Sequence, residues 1–152
     1  VKQFESQRLG LIEFREEDVI TFPHGLIGFA SLNRFVLVSD PRLTPFLWLQ
    51  SLDDPAVCFL VVNPFLIFPD YEIDTELDPA LRNEIGAVEE LEVLTIVTVA
   101  EEFSDSTVNL LGPLIINRKR RLGFQIALTD SNYCTRHPLF SQASPEGSRQ
   151  AV

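Results

Sequence analysis

Residues 46–62 read FLWLQSLDDPAVCFLVV. Residues 46–51 and 57–62 are short apolar runs of the aromatic, branched and aliphatic side chains that a pleated, half-buried surface favours. Between them Asp53, Asp54 and Pro55 form an ordinary turn start, although Asp53 and Asp54 could also be paired carboxylates. Strand, turn, strand is therefore the reading of this stretch. It recurs outward in both directions. Upstream lie 9–14 (LGLIEF), 19–22 (VITF) and 35–39 (FVLVS). Downstream lie 65–68 (FLIF), 91–99 (LEVLTIVTV), 107–111 (TVNLL), 114–117 (LIIN) and 124–128 (FQIAL). In the last run Phe124, Ile126 and Leu128 alternate with Gln125 and Ala127. The ten prolines fall mostly between runs, where a missing N–H does least harm. Many short strands at modest spacing predict an all-β sandwich or barrel with minor helix.

Helix is scarce. Residues 78–86 (DPALRNEIG) carry a capping Asp78, a first-turn Pro79 and a stop at Gly86. A one-turn helix over 25–32 has weaker signals. Residues 141–152 (SQASPEGSRQAV) lack apolar periodicity and read as a flexible tail. The chain has 152 residues, enough for one domain with a real core. The expected organisation is one domain over 1–140 and the tail over 141–152.

Net charge is −10, from 12 basic and 22 acidic residues. Such a surface repels a phosphate polymer, which argues against general nucleic-acid or anionic-membrane binding. The charge is organised along the chain. Residues 53–105 hold 14 acidic residues and one basic, Arg82, a net −13; the remainder is +3. That block is either a solubilising face or a docking field for a basic partner, whose encounter it would speed. Arg118, Lys119, Arg120 and Arg121 read as a charged hairpin loop that protects a sheet edge, or as a small nucleic-acid contact. No apolar stretch is long enough to span a bilayer, and no secretory leader is visible. Cys58 and Cys134 fit no metal or redox spacing and read as buried reduced thiols. A soluble cytoplasmic protein is the simplest expectation.

Catalytic motifs are absent, so no catalytic residue, metal or cofactor is expected. His24 and His137 read as turn imidazoles bonded to backbone, with a shared metal or acid–base site as the rival. Two segments stand out. In 63–73 (NPFLIFPDYEI) two prolines bracket an apolar run, so its backbone cannot pair regularly at both ends. Phe65, Phe68 and Tyr71 recur every three residues. They are either core filling or an apolar anchor rimmed by Asp70, Glu72 and Asp74, the anatomy of a protein interface. Residues 130–140 (DSNYCTRHPLF) are dense in hydrogen-bonding side chains and form either a terminal strap tied by Arg136 or a binding loop. The candidate partner-binding residues are Asn63, Phe65, Asp70, Tyr71, Glu72, Asp74, Asn132, Tyr133, Arg136 and His137.

The segments TFPHGL (21–26), FLWLQSLDDP (46–55), VVNPFLIFPDYEI (61–73), TVNLLGPLIIN (107–117) and DSNYCTRHPLF (130–140) together resemble the bacterial flagellar assembly factor FliW family. The resemblance runs from about Leu9 to Phe140. Departures are Ile27, where proline is expected, Gly112, where alanine is common, and Cys134, where serine is common. The resemblance implies a mostly antiparallel, barrel-like β fold and no catalysis. It also implies a chaperone-like cytoplasmic regulator with two partners. One is flagellin, bound through its C-terminal region. The other is the translational repressor CsrA, bound and antagonised when flagellin is depleted, so that flagellin mRNA is translated. No direct contact with nucleic acid and none with membrane is expected.

Overall fold

The computed structural model describes residues 1–73, 79–129 and 132–140. Asp74, Asp78, the start of the 130–140 motif and the expected tail over 141–152 lie outside them. The strands are β1 (Lys2–Ser6), β2 (Gly10–Phe14), β3 (Ile20–Thr21), β4 (Arg34–Ser39), β5 (Leu47–Ser51) and β6 (Cys58–Val62). They continue with β7 (Leu91–Thr98), β8 (Thr107–Val108), β9 (Leu114–Asn117), β10 (Leu122–Gln125) and β11 (His137–Pro138). The α-helix is α1 (Pro79–Ile85).

Seven strands close a barrel in the order β7-β6-β5-β4-β3-β10-β9, and β9 returns to β7. Closure removes most of the free edge that an open sheet would expose. The opening stretch is its central hairpin: β5 pairs β6 with Trp48 opposite Leu60 and Leu49 opposite Phe59. The turn is held by side chains, as its residues favour. Ser51 Oγ accepts from the amides of Asp53 and Asp54, and Asp54 Oδ1 accepts from Ala56 N. Asp53 is used differently, accepting from the amides of Asn33 and Arg34 at the start of β4. One pairing departs from the antiparallel expectation: β3 meets β10 in parallel, through Thr21 and Leu122 alone.

Period-two alternation sorts the side chains. Leu114 and Ile116 join Ile20, Phe22, Phe35, Leu49, Val61 and Leu94 in one cluster, whereas Ile115 belongs to another with Phe124 and Ile85. The first cluster fills the barrel; the second lies outside it under α1. A third gathers Leu60, Val62, Val97, Val108, Leu110 and Leu139 on the outer face of β6 and β7. Burial of a large aliphatic side chain stabilises by about 1.5–3 kcal/mol, so these clusters dominate the favourable side of folding. Gly123 is part of the fit. A Cβ there would lie 2.5 Å from the ring of Phe22.

The β1–β2 hairpin stands outside the barrel and is pinned to β5. Ser6 Oγ donates to the buried Gln50 Oε1 at 2.6 Å, and the Arg8 guanidinium lies 5.3 Å from the Trp48 ring centre. Strands β8 and β11 extend the barrel wall beyond β7.

Several expectations need correction. The run 65–68 is not a strand: Pro64–Leu66 is a 3-10 turn capped by Asn63, because the flanking prolines deny it a ladder. The one-turn helix over 25–32 is instead a tight reversal with Gly25 and Gly28 at positive φ and Leu26 bridged to Phe29. The final run starts earlier, at Leu122, and ends at Gln125. Gly86, at φ +95°, ends α1 in the left-handed conformation expected of it.

Candidate functional site

The two segments that stood out in sequence, more than fifty residues apart, pack against each other. The Tyr71 and Tyr133 rings are 4.7 Å apart, and Phe68 meets His137 edge to face at 5.0 Å. The Tyr133 hydroxyl accepts from the amide of Glu72 at 2.9 Å. Strand β11 brings the second segment there by pairing with β8, His137 opposite Val108. Leu139 N donates to Ser106 O, and Leu110 N to Cys134 O. The terminal strap is thus tied by backbone and Tyr133. Arg136, expected to tie it, is exposed and makes no ion pair among the described residues.

The candidate residues divide by burial. Tyr71 is 4% exposed, and its hydroxyl donates to Leu110 O at 2.6 Å. Burial pushes its phenol well above the ordinary value, and Tyr133 adds to the rise, so it stays a neutral donor. Asn63 Oδ1 accepts from Phe65 N and caps the 3-10 turn. Tyr71 and Asn63 hold the surface in shape. Phe65, 40% exposed and 5.7 Å from the Tyr71 ring, is on the surface itself. Asp70, Glu72, Asn132 and Arg136 are exposed; Tyr133 and His137 are half-buried. Asp74 lies outside the described residues.

Sequence reasoning missed the rest of the patch. Phe103 is exposed and touches Phe46 at 5.8 Å and the exposed Phe140 at 5.3 Å, both edge to face. Leu66, beside Phe65, is 63% exposed. The available signal was a lone phenylalanine inside the acidic run 101–105 (EEFSD), outside any strand. Phe103 is carried by a 3-10 turn, Phe103–Asp105. Phe65, Leu66, Phe103 and Phe140 thus border the same outer cluster on β6 and β7, with Asp70, Glu72, Glu101, Glu102 and Asp105 close to them in sequence. None of these five carboxylates forms an ion pair among the described residues.

Two other carboxylates of the acidic block, Glu90 and Glu92, are used internally. Arg118 forks onto Glu92 at 2.7 and 3.1 Å, and Lys119 meets Glu90 at 3.2 Å. Lys119 and then Asn117 hold the Glu90 carboxyl below its ordinary value. Arg120 donates to the carbonyls of Asn83 and Glu84 at the end of α1. The basic tetrad is therefore a hairpin turn clamped to the barrel wall and helix.

His24 packs on Phe124 at 5.9 Å, in a different cluster from His137, so the two do not meet. No group of metal-ligating side chains gathers among the described residues. Cys58 is half-buried and Cys134 exposed, and both are free thiols, which corrects the expectation that both are buried. No helix among the described residues is long and apolar enough to cross a membrane.

The family model described as FliW protein matches residues 3–139. The flagellar assembly factor FliW of Syntrophomonas wolfei is 41% identical over 141 residues, covering 93% of this chain and 90% of that one. The Bacillus subtilis flagellar assembly factor FliW is 40% identical over 130 residues, covering 86% and 91%. A crystal structure of the flagellar assembly factor FliW superposes with a TM-score of 0.85 at 39% identity, covering 94% of this chain and all of that one. A closed barrel with its outer face capped by the 63–73 and 132–140 segments, matched in sequence and shape over nearly its full length, places this chain in the FliW family of flagellar assembly factors.

Proposed function

We propose that this protein is a non-enzymatic cytoplasmic regulator that alternates between flagellin and CsrA. While flagellin is plentiful its C-terminal region occupies the protein. When flagellin is depleted, the protein binds CsrA and relieves repression of flagellin mRNA translation. Family membership supports the flagellar assembly role. The observation that carries the binding reading is the set of exposed aromatic residues beside carboxylates that form no ion pair among the described residues. Its apolar part supplies affinity through burial, and its acidic flank selects a basic partner and speeds encounter. An RNA-binding protein must present positive surface, so CsrA fits that flank. The same negative field disfavours a phosphate backbone nearby.

The test is CsrA affinity by calorimetry between about 0.05 and 0.5 M salt, a range over which the screening length shortens about threefold. We expect binding to weaken markedly with salt. Glu72→Gln with Asp105→Asn should flatten that dependence. Unchanged affinity across the range, with the double variant binding normally, sinks the electrostatic reading. Phe103→Ala should weaken flagellin or CsrA binding; normal binding of both would move the site elsewhere. A gel shift with flagellin leader RNA and no CsrA should show no complex.

A further inference from the structure

The barrel wall has a gap. Strand β4 is six residues long, but its neighbour β3 is only two, because the chain before it turns away in a 3-10 turn at Glu16–Asp18. Registers on both sides of β4 fix where its peptide groups point. Leu52 N donates to Arg34 O, and Val36 and Val38 fall in the same hydrogen-bonding phase toward β5. On the other side Phe22 N donates to Asn33 O, and Phe35 stands opposite Ile20. Leu37 and Ser39 therefore turn their N–H and C=O groups toward β3, past the point where β3 exists. No hydrogen bond reaches them from that side among the described residues.

A cavity of about 450 Å³ opens onto this bare edge. Its apolar lining is Phe14, Ile20, Val36, Leu37 and Val38. Glu13, Glu17 and Asp18 stand along the hairpin side, and Arg118 and Arg121 on the β9–β10 turn stand across from them. The two arginines are already engaged, Arg118 by Glu92 and Arg121 by the carbonyl of Glu16. Among the described residues Glu17 has only Arg15 as a cation, at 4.0 Å. The charge left over for a ligand is negative.

We infer that this slot accepts an extended segment of a partner polypeptide, which pairs its backbone with Leu37 and Ser39 and sets a lysine or arginine against Glu13, Glu17 and Asp18. Unpaired main-chain groups beside an apolar trough are the chemistry of strand addition, in which backbone bonds give affinity and alternate side chains give selectivity. The slot takes about three guest residues at roughly 3.3 Å each, too short for a stable free hairpin but enough to complete the missing part of β3. It lies three strands round the barrel from β7, away from the aromatic surface, and does not depend on it.

The probe is an acetylated, amidated hexapeptide of alternating lysine and valine, titrated into the 15N-labelled protein. We expect shifts and slowed exchange at the Leu37 and Ser39 amides. The same peptide N-methylated at every residue keeps its side chains and charge but has no N–H to pair along either edge, and should lose those effects. Ser39→Pro removes an N–H that the barrel does not use, so the fold should persist while the peptide binds about tenfold more weakly, the worth of one hydrogen bond. Phe103→Ala should bind the peptide normally. The proposal is overturned if neither amide responds, if the N-methylated peptide binds as well, or if Ser39→Pro folds and binds unchanged.

Discussion

At the scale of single residues, position decides between anchor and scaffold. Tyr71 and Phe65 are neighbours in space and both aromatic, yet Tyr71 is buried with its hydroxyl bonded to Leu110 O, whereas Phe65 presents its ring to solvent. Tyr71→Ala would leave a cavity and orphan a carbonyl, so it should cost about 3–5 kcal/mol in denaturant unfolding. Phe65→Ala should cost about 1 kcal/mol or less, with its effect appearing in partner affinity instead. Equal losses for both would place Phe65 in the core. The two thiols separate in the same way. Burial raises the Cys58 thiol to about 11, although Arg8 opposes the rise, and Cys134 is exposed. Thiolate is the reacting form, so one thiol should react quickly with an aromatic disulfide reagent in the native protein, and Cys134→Ser should abolish that fast phase.

At the scale of elements, α1 is held by its C-terminal end. Asn117, wholly buried on β9, donates to Ile85 O at 2.7 Å and also to Glu90 Oε1, while its own Oδ1 accepts from Arg120 N. Asn117→Ala would strand the Ile85 carbonyl and release the turn, a loss of about 1–3 kcal/mol. Hydrogen exchange should show it as early opening of α1 and the β9–β10 turn while β4 to β6 stay protected. Uniform loss of protection would mean that Asn117 supports the whole barrel. These elements also show what a sequence can reveal. Strands β4 to β7 and β9 were legible because each carries a run of Val, Ile, Leu or Phe. The sequence KQFES of β1 was not, since only Phe4 is apolar and the strand exists through its ladder with β2. FLIF failed in the opposite sense: its composition says strand, but Pro64 and Pro69 leave only a turn. Strand β11, two residues ending in Pro138, has no pattern to read.

For the whole molecule, the candidate site was legible as two motifs but not as one surface. Nothing in the spacing of 63–73 and 130–140 says that they meet; the wall extension through β8 and β11 brings them together. The acidic count was legible, but its division was not, because Glu90 and Glu92 are matched by Lys119 and Arg118 only once the barrel closes. The same distribution sets how stability depends on pH. Lys2 and Arg34 hold Glu16 below its ordinary value of 4.5, and Lys119 with Asn117 does so for Glu90. A lowered carboxyl contributes stability above its unfolded value and loses it as pH falls through the folded one. Decline should therefore begin below about 4.5, and gently, since both pairs are exposed. At the alkaline end Cys58 and Tyr71 are raised by burial from 9.0 and 10.0. Such groups stabilise fully below their unfolded values, and the contribution disappears as pH rises through the folded ones. Melting temperature at constant ionic strength should thus be flat between about 4.5 and 9, then fall. Tyr71→Phe should melt lower at neutral pH, having lost the bond to Leu110, yet decline less steeply above pH 10. If the wild-type and Tyr71→Phe curves run parallel at high pH, the buried phenol is not what sets the alkaline limit.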